Sequence, residues 1–163
     1  MSTPNRPVPC ARDIMQRSLI TLSPDHSFFD AIRTFLKHRI SGAPVLDADG
    51  KLLGVCSELD CLKALASGEY YRDDHQEEGT VRSMMRTEFQ SVAPHTDIYT
   101  LARLFVAHNV RRLPVIEDGE LIGQLSRRDV LRAMERFGES RVARRRYPDY
   151  RAPAADVGAR RSP

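Results

Sequence analysis

The sequence predicts a mixed α/β (α+β) protein made of two β-α-β-β-α repeats packed with pseudo-two-fold symmetry. Three observations predict it. The chain matches itself at an offset of seventy residues, dropping to sixty-nine near its turns. In each copy a short apolar run precedes a stripe of apolar residues at helical spacing. In each copy two more apolar runs flank an Asp-Gly turn.

The elements follow in order. Asp13-Ile14-Met15 is answered by Ser83-Met84-Met85, and Leu22-Ser23-Pro24 by Val92-Ala93-Pro94. The runs Leu19–Leu22 and Phe89–Val92 read as first strands. Ser27 and Asp97 are N-cap residue types, and Asp30 places an acid in a first turn. Phe28, Ala31, Ile32, Phe35 and Leu36 then share one helix face, as do Ile98, Leu101, Ala102, Phe105 and Val106. Pro44-Val45-Leu46 with Leu52–Val55, and Pro114-Val115-Ile116 with Leu121–Gly123, predict hairpins. The one-residue loss falls in their turns, where a length change costs least. Second helices start near Ser57 and Ser126, with Leu59, Leu62 and Leu65, then Val130, Leu131 and Met134, as their apolar positions.

These landmarks divide the chain into a tail (1–7), a first repeat (8–66), a linker (67–79), a second repeat (80–137) and a basic tail (138–163) expected to be mostly disordered. The whole is 163 residues, enough for one ordinary domain or two very small ones. No apolar run reaches the roughly 20 residues of a membrane span. The first residues lack an apolar signal-peptide core, so a cytoplasmic protein is expected. The net charge of +3 is uneven: residues 139–163 carry +4 and the rest −1. A nearly neutral body gives nucleic acid no electrostatic footing.

Other residue types point away from catalysis and metals. Cys10, Cys56 and Cys61 show neither CxxC spacing nor a disulfide framework, and Cys56 reads as a small buried apolar residue. His38 and His108 fall at helix C-termini, where a cation is favourable, and His26, His75 and His95 are scattered. Met15, Met84 and Met85 suit packing. No P-loop, GxSxG or HExxH motif occurs, and no nucleophile, base and orienting group fall in matched positions. No enzyme and no metal site are expected. In the tail, Arg141 and Arg144–Arg146 near Tyr147 and Tyr150 could touch a nucleic acid or an acidic protein, or simply solvate the chain.

The run Asp13-Ile14-Met15, the Pro24 helix, Ser41–Val45 and Gly54…Ser57-x-x-Asp60 resemble a cystathionine-β-synthase (CBS) domain, and the second copy resembles its partner. Together they resemble a tandem CBS pair, or Bateman module, over roughly residues 8 to 137. The resemblance implies a stand-alone regulatory module that dimerises. It implies an adenosine ligand (AMP, ADP, ATP, NAD or S-adenosylmethionine) in clefts between the repeats, and a partner that senses the outcome.

Ser-x-x-Asp suits such a ligand. A carboxylate accepts from the hydroxyls of a ribose diol, and a helix start favours an anion. The same pattern approximates an N-capping box, and the two roles are compatible. Carried over from the family, Ser57 and Asp60 would face Val110, Arg111, Arg112 and Leu113, and Ser126 and Asp129 would face Ile40, Ser41, Gly42 and Ala43. The two sites would be unequal, since Arg111 and Arg112 suit phosphate where the second site has Ser41 and Gly42. Alternatively the two arginines are a solvated basic surface. A ligand-free scaffold for dimerisation and protein docking is the other functional reading.

Overall fold

The computed structural model describes residues 7–68 and 79–142. The expected N-terminal tail up to residue 6, linker residues 69–78 and the basic tail from 143 onward lie outside the described residues. The elements run α1 (Ala11–Ile14), α2 (Phe28–His38), β1 (Gly42–Leu46), β2 (Leu52–Ser57), α3 (Glu58–Ser67), α4 (Val81–Met84), α5 (Ile98–His108), β3 (Arg112–Glu117), β4 (Glu120–Ser126) and α6 (Arg127–Val142). No helix among the described residues is long and apolar enough to cross a membrane.

Local chemistry sets the helix boundaries. Ser27 Oγ accepts from the Asp30 N–H while the Asp30 carboxylate accepts from the Ser27 N–H, a reciprocal cap at the start of α2. Asp97 accepts from the N–H groups of Tyr99 and Thr100 at the start of α5. Both helices end on a left-handed residue, Arg39 and Asn109, directly after His38 and His108.

The expected hairpins form. β1 pairs antiparallel with β2, and β3 with β4, each with a register shift at the same repeat position, Val45/Leu46 and Val115/Ile116. Asp118 and Gly119 both take positive φ in the tighter second turn, the combination a two-residue hairpin loop requires. The hairpins meet at a single antiparallel bridge, Lys51 to Glu120.

The first strands are shorter than the sequence suggests. Leu19–Leu22 and Phe89–Val92 reduce to single-residue parallel bridges, Leu22 to Val45 and Val92 to Val115. Leu22 donates to the Pro44 carbonyl and accepts from the Leu46 N–H. Pro24 and Pro94, two residues on, have no N–H with which to continue the ladder.

The outer rows of the helices also differ from expectation. Phe28, Ala31 and Phe35, and Ile98, Leu101 and Phe105, are buried, but Leu36, Ala102 and Val106 are exposed. A two-stranded sheet is too narrow to cover a wider stripe. On α3 the buried residues are Asp60, Cys61 and Ala64, whereas Leu59, Leu62 and Leu65 face outward. The Asp60 carboxylate reaches back to Ser57, and this cap fixes the rotation of the helix. On α6 Val130, Ala133 and Phe137 are buried, Met134 is half-buried and Leu131 is exposed.

The two halves exchange their leading segments. α1 hydrogen-bonds to the second half, Ala11 N to the Thr96 carbonyl and Arg12 N to the Pro94 carbonyl, both 2.8 Å. Ala11 and Met15 complete the core around Leu101, Phe105 and Leu113. Reciprocally, Val81 N bonds the His26 carbonyl, and Val81 joins the core of Leu22, Phe28 and Phe35. Neither core closes without the other repeat's opening residues.

Candidate functional site

The site is built on the ends of β2 and β4. At each, a strand runs directly into a helix through a capping box. Asp60 Oδ2 accepts from Ser57 N at 2.8 Å and from Ser57 Oγ at 2.6 Å. Asp129 Oδ2 accepts from Ser126 N and Oγ at 2.8 and 2.7 Å. One carboxylate oxygen of each is therefore committed to its own helix. Asp60 is 5% exposed, and its Oδ1 has no hydrogen-bond partner among the described residues. A sugar would meet one oxygen of Asp60 rather than both.

The exchanged segments deliver the next groups. Arg86 N and O pair with Val55 O and N at 2.8 and 2.9 Å, and Gln16 pairs with Gln124 in the same way. These positions are seventy residues apart and equivalent. Arg86 Nε lies 3.6 Å from Asp60 Oδ2. Gln16 Nε2 donates to Asp129 Oδ1 at 3.3 Å. The first carboxylate thus faces a cation, and the second has its remaining oxygen engaged by a neutral amide. Gly54 and Gly123 permit this approach: a Cβ on Gly54 would sit 2.5 Å from the Arg86 carbonyl oxygen, and one on Gly123 2.5 Å from Met15 Sδ.

A cleft of about 920 Å3 opens between the halves beside Asp60, within the range of small-molecule sites. Ser57, Asp60, Val110, Arg111 and Arg112 all line it. Gly42 and Ala43 line it too, because β1 is antiparallel to β2 and Gly42 lies opposite Ser57. Ser41 and Ile40 do not line it: the Ser41 carbonyl accepts from Glu58 N, and Ile40 packs against the first core. Leu113, expected to face Ser57 and Asp60, is fully buried in the second core because alternation along β3 turns it away. The Val110 turn is pinned by Arg127, whose Nε donates to the Val110 carbonyl and whose Nη2 donates to Asn109 Oδ1.

Asp129 lines a separate cavity of about 330 Å3 with Asp13, Gln16, Arg132 and Arg136, which includes none of Ile40, Ser41, Gly42 and Ala43. Sequence reasoning missed Arg86 and Gln16. Their signal was their place directly after the repeated Met15 and Met85, but nothing in the sequence says that this segment crosses to the other half.

Cys56 lines the cleft wall and Cys61 lies behind it in α3. The contact with Cys61, then burial, pushes the Cys56 thiol up, and the same contact lowers that of Cys61. Cys56 stays protonated at neutral pH and contributes apolar bulk rather than a nucleophile.

The CBS domain model matches residues 11–67 and 81–136. An uncharacterized protein, MJ1426 of Methanocaldococcus jannaschii, is 34% identical, with 76% of this chain and 89% of that protein covered. Some curated relatives are longer: the chain spans 43% of MJ1225 from the same organism and 14% of an A-adding tRNA nucleotidyltransferase of Aquifex aeolicus. Among solved structures, CBSX2 in complex with AMP superposes with a TM-score of 0.70 at 30% identity, covering 79% of this chain and 98% of CBSX2. The CBS domain pair of MJ0100, in complex with 5′-methylthioadenosine and S-adenosyl-L-methionine, superposes with a TM-score of 0.66 at 25% identity, covering 82% and 99%.

Proposed function

The chain belongs to the CBS domain family, and on that premise we propose that it is a cytoplasmic regulatory module rather than an enzyme. It binds an adenosine-containing ligand in the cleft between its halves and passes occupancy to a partner protein by a change of shape. One observation carries the reading: the cleft gathers a nearly buried carboxylate, Asp60, with one oxygen open among the described residues, and a cationic wall of Arg111 and Arg112. The first accepts from a sugar hydroxyl and the second suits phosphate. AMP, ADP, ATP, NAD and S-adenosylmethionine are the candidate ligands. The complexes of CBSX2 with AMP and of MJ0100 with S-adenosyl-L-methionine support this class. A shape change follows only where the ligand binds two shapes unequally, and a cleft lined by both halves provides for that.

Isothermal calorimetry of the full chain with the five candidates is the direct measurement. Heat and a raised melting temperature with at least one of them are expected, weakened by Asp60→Ala. Silence with all five at millimolar concentration ends the reading.

The second reading, a docking scaffold with empty clefts, draws on the outward-facing Leu36, Leu59, Leu62, Val106 and Leu131. These apolar helix faces also support a homodimer. Sedimentation of Leu62→Asp combined with Leu131→Asp should give monomers where the parent gives dimers. Undiminished partner binding by Asp60→Ala with Asp129→Ala would favour the scaffold.

A further inference from the structure

We propose that Arg86 makes the first cleft selective for adenosine ligands that carry a 5′-phosphate, by compensating the charge of Asp60 and anchoring the phosphate. This rests on the adenosine reading above and adds the ligand's charge class.

The inference begins with an asymmetry. Gln16 and Arg86 stand at the same place in the two repeats, each held to the facing strand by two backbone hydrogen bonds. Their backbones are fixed, so only the side chains can respond to a ligand. Gln16 is neutral and donates into Asp129. Arg86 brings a positive charge to within 3.6 Å of Asp60 Oδ2.

That separation is too long for a hydrogen bond. Oδ2 is already saturated by Ser57 N and Oγ, and Oδ1 stays open among the described residues. Arg86 therefore offsets the carboxylate's charge without occupying the oxygen a ribose would use. Its side chain is 56% exposed and lines the cleft. An ion pair so exposed on one side is worth little, and the guanidinium is free to turn to a better partner. A phosphate is such a partner, accepting two parallel hydrogen bonds. Lys63, Arg111 and Arg112 line the same cleft and add to its positive field. Glu58 and Glu88 line it as well and oppose an anion. Removing Arg86 would leave a phosphate facing three carboxylates with less compensation. An uncharged nucleoside has no such stake in Arg86.

The experiment compares AMP with adenosine on the full chain by calorimetry, for the parent, Arg86→Gln (the residue at the equivalent position) and Arg86→Lys. The parent should prefer AMP by about tenfold or more, in keeping with a charge-assisted contact. Arg86→Gln should lose most of that preference by weakening AMP, with adenosine changed less than about twofold. Arg86→Lys should restore part of it. The parent's AMP affinity should fall with added salt while its adenosine affinity stays flat, which tests the charge argument even where Arg86→Gln does not fold.

Equal binding of AMP and adenosine by the parent would overturn the assignment of Arg86 while leaving the adenosine reading intact. So would loss of both ligands together in a folded Arg86→Gln, or a salt-independent AMP affinity. Failure of the parent to bind any of the candidate ligands would instead remove the adenosine reading itself, and this proposal with it.

Discussion

Gly54 lies directly against the backbone of Arg86, and a Cβ at that position would come within 2.5 Å of the Arg86 carbonyl oxygen. The contact is between halves: β2 of the first repeat meets the segment that opens the second. It brings together the strand that ends in Ser57 and the residue whose guanidinium neighbours Asp60.

Gly54→Ala should therefore separate the crossing segment from β2 and lower stability by about 1–3 kcal/mol, the range for overpacking a close-packed interior. Gly123→Ala should cost less. Its nearest neighbours, at 2.5 and 2.8 Å, belong to the flexible Met15 side chain, and the backbone oxygen of Gln16 is at 3.0 Å. Denaturant midpoints of the two variants settle the order. A more damaging Gly123→Ala would contradict the assigned contacts.

The capping and ligand roles of the Ser-x-x-Asp element separate by comparison with α2. Ser27→Ala and Ser57→Ala each remove a reciprocal cap, and each should cost about 1 kcal/mol. Ser57 lines the cleft and Ser27 does not. Only Ser57→Ala should weaken AMP in calorimetry. Equal AMP binding by the two variants would reduce Ser57 to a cap.

Asp30 gives an acid-side prediction. The Arg33 guanidinium, then hydrogen bonds from Ser27, lower its carboxyl from 3.8 to about 2. Thr100 lowers Asp97 and Cys10 lowers Asp13 in the same direction. A carboxyl lowered on folding stabilises the fold above its unfolded value and loses that contribution as pH falls through the folded one. Asp30 thus contributes fully above about pH 4 and progressively less down to about pH 2. Melting temperatures of the parent and Asp30→Asn should converge across that interval. A gap that persisted unchanged at pH 2 would show that the charge of Asp30 is not what stabilises α2.

Much of the fold was legible in the residues because its causes are local. Ser27 and Asp97 start helices by side-chain to backbone hydrogen bonds made within three residues. The Asp-Gly pairs turn the chain because glycine tolerates positive φ. The repeated Ser-x-x-Asp marked both strand-to-helix junctions and the two carboxylates.

Less was legible where a neighbour decides. By spacing, Leu59, Leu62 and Leu65 were the apolar positions of α3, but the cap turned Asp60, Cys61 and Ala64 inward instead. Leu113 shared a run with Arg111 and Arg112, but strand alternation sent it into the core.

By itself the sequence determined that there are two like units, where their helices and hairpins begin, and which carboxylates close them. Only the tertiary structure decided that each unit's opening segment packs on the other, so that Arg86 meets Asp60 and Gln16 meets Asp129. The reason is the range of the forces. Caps and turns act over a few residues and are written in order along the chain, whereas the burial of Ala11, Met15 and Val81 depends on which surface is left uncovered once both halves have formed.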